Sequence, residues 1–594
     1  MKDFLKYTLA TMTGIVILSV IMAIISVISI VGMIASSSST TPVEDNSVFV
    51  LSMKGVVSER SGAENPLMTY FDGDMEEMGL DDIIQSIRKA KDNDDIKGIY
   101  IEADAVAFDS YATAQTLRDE LEKFKKSGKW IVAYGDNYMQ MSYYVASVAD
   151  KVYLNKTGMI DFRGLGGVRE YDKGLAEKLG VKFQVLRVGK YKSAVEGYLR
   201  NDMSPEDREQ RMAYLSGVWQ KMLHDIAQSR KVTAQALDNL ASDSIIALAD
   251  PADYVKAKLV DKLMYPEEIK QEIKNRLKLD ADEAVAQLTL ADMLNVKADE
   301  SHDGDKVAVY YAVGEIIDAK ASGFSTGENI VGSTMAQDLR ELADDDDVKA
   351  VVIRVNSPGG SAVASEQIWH AVKTLKARKP VVVSMGGVAA SGGYMISAAA
   401  NTIFAEPTTI TGSIGIFGVV PNFSGLVTDK LGITFDGAST NKYTNYDHNI
   451  ALGKENSEEL RYMQAYVDRG YVSFLDIVAD GRKMKRDEVN EIAQGRVWLA
   501  TDALRIKLID KLGSLDDAVA EAAKLAKLKE YYPSTYPEKS DWMDALIPSK
   551  DKGSYLDAEL RSLLGDLYEP VVELRLNQQR NPLQARLPFS TRVK

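Results

Sequence analysis

The chain has no cysteine, which removes disulfides, thiol nucleophiles and thiolate metal sites at once. Histidine is almost as scarce. His224, His302, His370 and His448 are the full set, and none stands in an HxxH or HExxH pattern, which argues against a zinc enzyme. Basic residues are outnumbered, 71 Lys and Arg against 86 Asp and Glu, and the net charge of −15 argues against nucleic acid as a partner. Between Lys6 and Lys54 there is no basic residue at all. Nothing in the composition calls for a metal or another cofactor, and none is expected.

What is present is a chain of 594 residues, 45% apolar and 26% charged, too long for one core, so two or more domains are expected. The uncharged run from Tyr7 to Ala35 exceeds the ~20 residues an apolar helix needs to cross a bilayer. It also exceeds the ~7–15-residue apolar core of a cleaved signal peptide, and so reads as a transmembrane anchor. Lys2 and Lys6 precede it, which puts the N-terminus in the cytoplasm and the body of the chain outside that membrane. "SSSSTTPVEDNS" follows as a solvated stalk, completing a first segment of residues 1–45.

The remainder is written twice. "DDIKGIYIEA" from Asp94 lies against "DDVKAVVIRV" from Asp346, 252 residues further on. "KWIVAYGDNYMQMSYYVAS" lies against "KPVVVSMGGVAASGGYMIS", "LGVKFQVLRVGKYK" against "LGITFDGASTNKYT", and "VKAKLVDKLM" against "LRIKLIDKLG". The first copy covers residues 46–300 and the second 301–530, leaving 531–594 as a C-terminal extension whose basic end suggests no role. In the second copy "VAVYYAVGEI", "KAVVIRV", "PVVVSMG" and "NTIFAEP" read as strands, while "AVASEQIWHAVKTLKA" and "SGGYMISAAA" read as helices. Apolar strands alternating with helices predict α/β units with mainly parallel sheets, whose sites lie at the loops after the strand C-termini.

Two glycine turns fall at such loops. "NSPGGS" (Asn356–Ser361) ends a strand and opens a helix, an arrangement that brings backbone N–H groups close to a ligand but also serves as an ordinary turn. It is neither a Walker nor a dinucleotide fingerprint. In "VAASGGY", Ser391 is either a nucleophile or a helix cap. The first copy has Met141 at the matching position and "AVAF" in the region of "SPGG", so the second copy holds a task the first lacks. A hydroxyl nucleophile needs a base. His370 falls on an amphipathic helix, and His448 in the polar stretch "NKYTNYDHN". A buried lysine is the alternative. Lys190 and Tyr191 recur as Lys442 and Tyr443, the mark of a structural pair, whereas Lys192 faces Thr444 and is peculiar to the first copy.

The anchor, the tandem repeat, "YKSAVEGYLRNDMSPEDRE", "NSPGG" and "ASGGYMIS" together resemble the signal peptide peptidase A family in its long two-repeat form, also called protease IV. The resemblance runs from the anchor to about residue 530. It implies a Clp/crotonase-like α/β unit in each repeat and a Ser–Lys dyad split across them. By this resemblance Ser391 is the nucleophile, Lys192 the general base, and Ser413 of "TGSIG" orients the amine. Gly360 and Gly392 supply the oxyanion N–H groups. It further implies a membrane-anchored serine endopeptidase on the periplasmic side of the inner membrane. The substrates would be cleaved signal peptides, and the assembly a homo-oligomer, a tetramer by family resemblance. Two other readings are a crotonase-like acyl-CoA enzyme, using the same turns for an enolate, and a non-enzymatic, membrane-attached scaffold.

Overall fold

The computed structural model describes residues 40–61, 77–297, 303–319, 329–453 and 457–539, with a few isolated positions between 6 and 21. Most of the expected anchor and most of the C-terminal extension lie outside the described residues. Among those described, no helix is long and apolar enough to cross a membrane. The chain divides into two compact units. Of the described residues, one takes 40–61, 77–168 and 214–303; the other takes Arg169–Ala213 and those from Gly304 to 539. Residues 169–213, first copy by sequence, are therefore structurally part of the unit built by the second copy.

The first unit is a seven-stranded sheet. Its strands are β1 (Ser47–Ser58), β2 (Glu77–Gly79), β3 (Ile96–Phe108), β4 (Trp130–Gly135), β5 (Lys151–Leu154), β7 (Lys262–Leu263) and β8 (Gln287–Leu288). Strand β6 (Lys182–Arg187) belongs to the second unit. The order is β2-β1-β3-β4-β5-β7 with β8 beside β1, and every pairing is parallel. Helix α1 (Tyr111–Lys125) starts at Ser110, whose hydroxyl accepts from Thr113 N. Helix α2 (Gln140–Ala146) follows β4.

The second unit repeats this plan with β9 (Asp305–Val313), β10 (Glu315–Ile317), β11 (Asn329–Val331), β12 (Val348–Ser357), β13 (Val381–Ala390), β14 (Thr402–Ala405) and β15 (Ile410–Gly412). It is completed by β16 (Phe417–Asn422), β17 (Val497–Leu499), β18 (Lys511–Leu512) and β19 (Tyr531–Tyr536). The main sheet runs β17-β15-β13-β12-β9-β19, with β14 and β18 branching from β13. Only the β15·β17 pair in it is antiparallel. Val351–Ile353 and Val381–Val383 are fully buried, as central parallel strands covered on both faces must be. Helix α3 (Pro205–Arg230) precedes this sheet in the chain, and α4 (Ala362–Lys376) buries the stripe Ile368, Val372 and Leu375 against it.

The duplication is visible in register. The bridge Tyr138↔Ile160 repeats Val388↔Ile410 at a spacing of 250 residues for both partners. Strand β13 first pairs with β14 and then, beyond Met385, with β15. It thus carries its C-terminal end past its shorter neighbour, and helix α5 (Gly392–Ser397) starts one residue beyond it. A separate antiparallel ribbon pairs β16 with β6 and holds the 182–187 segment to the second unit.

Candidate active site

Ser391 occupies the single residue between β13 and α5, at φ 55° and ψ −118°. That backbone region is unfavourable for any residue with a Cβ. Its N–H donates to Gly412 O at 2.9 Å, and its carbonyl accepts from Met395 N at 2.9 Å. The hydroxyl makes no capping bond to α5, so the helix-cap role does not describe it. The side chain is half-buried and turned to another partner.

That partner is Lys192, on the short connection between β6 and α3. Its Nζ lies 3.1 Å from Ser391 Oγ, 2.9 Å from Ser413 Oγ and 3.0 Å from the Ser413 carbonyl. Lys192 is 4% exposed, and burial lowers its amine to about 8, from an ordinary value of 10.5. The Phe417 ring, at the start of β16, stands 5.8 Å from the amine. Behind the lysine runs the backbone of 494–496. Tyr191 N donates to Gln494 O at 3.0 Å, and Ser413 N to Arg496 O at 2.7 Å. Gly495, at φ 79°, is packed so closely that a Cβ there would lie 2.5 Å from Lys192 Cβ.

The "NSPGG" turn packs against Ser391. A methyl added at Gly359, whose φ is 99°, would lie 2.6 Å from Gly392 N and 2.9 Å from Ser391 Cβ. Gly360 bridges to Ile316, with Ile316 N donating to Gly359 O and Ser361 N to Ile316 O. Its own N–H therefore lies outside that ladder, on the other side of the strand. Gly392 is the first residue of α5, so its N–H has no acceptor inside the helix. Such N–H groups, next to a serine that touches a buried amine, can receive a developing oxyanion.

The residues proposed from sequence are thus distributed as follows. Ser391, Lys192 and Ser413 meet directly, and Gly392 adjoins Ser391 with Gly359 against it. His370 is exposed on α4, and His448 is exposed with its ring edge-on to Phe435, at 4.9 Å. Lys190 and Lys442 are both exposed and each lies over its neighbouring tyrosine, at 5.1 and 5.0 Å. The shared pair is the same surface contact in both copies. Sequence reasoning passed over Gly495, Asp207 and Gln210. A lone glycine after a helix and polar residues in a helix's first turns carry no local signal of burial, yet Asp207 and Gln210 are 1% and 3% exposed.

Two parallel-sheet repeats, one with a strained serine at the end of a central strand, define the architecture of a serine peptidase. The profile described as Peptidase family S49 matches residues 123–280 and 373–529, once in each copy, and the chain belongs to that family. A Clp protease profile matches residues 325–410, covering the β12–β14 region. Protease 4 of Salmonella typhi is 37% identical over 521 residues, covering 86% of this chain and 81% of that protein. Protease 4 of Haemophilus influenzae is 36% identical over 465 residues, covering 76% and 73%. The chloroplastic serine protease SPPA of Arabidopsis thaliana is 29% identical over 494 residues, covering 82% and 70%.

Proposed function

We propose that this serine peptidase works through a Ser391–Lys192 dyad and degrades signal peptides after their release from preproteins. The observation that carries the dyad is the 3.1 Å approach of a buried lysine amine to the hydroxyl of a serine at a strained elbow. A neutral amine has two N–H groups and one lone pair. With the N–H groups on the Ser413 carbonyl and Ser413 Oγ, the lone pair is left for the Ser391 proton. Lys192 takes that proton as Oγ bonds to the scissile carbonyl carbon. The resulting oxyanion accepts from the N–H groups of Gly360 and Gly392, each worth roughly 3–4 kcal/mol in comparable sites. The lysine then returns the proton to the departing amine, leaving an acyl-serine. Water, deprotonated by the same amine, releases the second product.

The uncharged run Tyr7–Ala35 is proposed as the anchor that places the body at the periplasmic face of the inner membrane, where cleaved signal peptides are met. A homo-oligomer, a tetramer by family resemblance, is proposed as the working assembly. An unpaired segment supports it. Residues 434–439, the second copy's counterpart of β6, form no strand and are exposed. The test of the dyad is mass-spectrometric mapping of a serine-directed phosphonate. It should label Ser391 in the wild type and fail in Lys192→Ala. A label on another serine, or undiminished labelling without Lys192, would remove the assignment. For the substrate class, purified protein should digest a free signal peptide and leave the folded mature domain of its preprotein intact; the reverse preference would exclude signal peptides.

A further inference from the structure

The amine of Lys192 ends a chain of four rotatable bonds, so its position at Ser391 depends on how the backbone of 191–193 is held. That segment is not part of a sheet. We propose that Gln210, on the first turns of α3, is a positioning residue that fastens this lysine loop to the strand behind it. The proposal rests on the dyad reading.

Gln210 is buried, and all four of its polar contacts are to the lysine loop or its surroundings. Nε2 lies 3.1 Å from the Tyr191 carbonyl, 3.0 Å from Ser193 Oγ and 3.0 Å from Asp207 Oδ1. Oε1 accepts from Val497 N at 3.1 Å. One side chain therefore links the residues on both sides of Lys192 to the first residue of β17. Val497 stands two residues beyond Gly495, which backs Lys192, and one beyond Arg496, whose carbonyl holds Ser413 N. The floor beneath the lysine and the floor beneath Ser413 are one segment, residues 495–496, which leads straight into β17, and Gln210 ties the lysine loop to the first residue of that strand.

Asp207 fixes which way the amide faces. Its Oδ1 accepts from Ser193 Oγ at 2.6 Å as well as from Gln210. Its Oδ2 is paired with Arg211 Nε at 2.9 Å and Arg169 Nη1 at 3.2 Å. With the carboxylate charge balanced by two guanidinium groups, the amide must turn its N–H side to Asp207 and its oxygen to Val497. A buried amide that bonds backbone groups of two separate segments is costly to remove, because Val497 N loses its acceptor and Tyr191 O keeps only the bond from Ser193 N, at 2.7 Å.

The variant to make is Gln210→Met, which keeps length and volume and loses every hydrogen bond. With the loop released, the amine should lose its fixed distance to Ser391 and gain access to water. The expected result is a fall of about 10- to 100-fold in kcat, as for a displacement of about 1 Å, with KM changed less than about twofold. The pH midpoint for phosphonate labelling of Ser391 should move upward, toward that of an ordinary lysine. Leu339→Ala, a fully buried core truncation in the same unit, supplies a destabilised protein with an undisturbed lysine loop; its midpoint should stay at the wild-type value. Gln210→Met that matches Leu339→Ala, losing activity only with its folded fraction and keeping the wild-type midpoint, would overturn the proposal. Lys192→Ala in parallel separates the two ideas. If it still labels, the dyad fails; if it is inert while Gln210→Met behaves as wild type, only the role of Gln210 fails.

Discussion

Ser391 is held where a glycine would sit without strain, and that choice has a measurable cost. Ser391→Ala and Ser391→Gly should both abolish hydrolysis, but Ser391→Gly should be the more stable by about 1 kcal/mol in urea unfolding. Equal stabilities would mean that the elbow carries no strain. Lys192 makes a second prediction through its amine, which burial lowers to about 8. Below that pH the folded protein holds a buried ammonium; above it, the neutral amine that the proposed dyad requires. Hydrolysis should therefore climb through a midpoint near 8 as pH rises. Lys192→Arg, charged throughout, should be as inactive as Lys192→Ala. Stability follows the same group. From about 8 to 10.5 the unfolded chain retains a proton that the folded chain has lost, so the wild type should gain stability relative to Lys192→Met as pH rises through that window. A gap that stays constant across it would rule out a desolvated amine.

At the scale of elements, the two glycine turns work as one object, because Gly359 packs directly on the start of α5. Gly359→Ala would place a methyl 2.6 Å from Gly392 N, at a φ of 99° that alanine rarely adopts. It should cost roughly 10²–10³-fold in kcat, comparable to losing one oxyanion donor, while circular dichroism stays native. Activity within a few-fold of wild type would mean that the Gly392 N–H takes no part. These turns were legible in the sequence as strand-to-helix bends, and what set them apart from ordinary bends was that the first copy lacks them. Strands β12 and β13 and the buried stripe of α4 were legible for a similar reason, since their period and their burial agree. The ribbon of β6 and β16 was not. "VKFQVLR" forms a strand, whereas its counterpart "ITFDGAS" is exposed coil; the Asp-Gly pair weakens the second pattern, but no local signal says which segment finds a partner. The difference lies in whether a partner strand is at hand. Gln210 and Asp207 were hidden likewise, because the contacts that bury them come from residues distant in the chain.

For the whole molecule, the sequence showed two copies but not that 169–213 joins the other copy's unit. The consequence is that Lys192 and Ser391 lie within one compact unit of one chain. Chemistry and assembly should then be separable. The spacing of 250 that carries Ile160 to Ile410 also carries residues 167–172 onto β16, and the spacing of 252 carries β6 onto 434–439. Neither counterpart forms a strand. Val168 is fully exposed, and Ile433 and Phe435 are 47% and 52% exposed. Apolar side chains left open in one copy, where the other copy pairs the same segment, are suited to the same contact with a second chain. Phe435→Asp places a carboxylate in that contact, where burying an unpaired charge is costly. By light scattering the mass of the variant should fall toward that of a single chain, 65.3 kDa, whereas the wild type should keep the mass of the proposed assembly. Phosphonate labelling of Ser391 in the dissociated variant should continue at near the wild-type rate, because no second chain is needed to bring Lys192 to the serine. An unchanged assembly would remove 434–439 from the interface. Dissociation that silenced labelling would show that the 3.1 Å approach of amine to hydroxyl depends on a neighbouring chain after all.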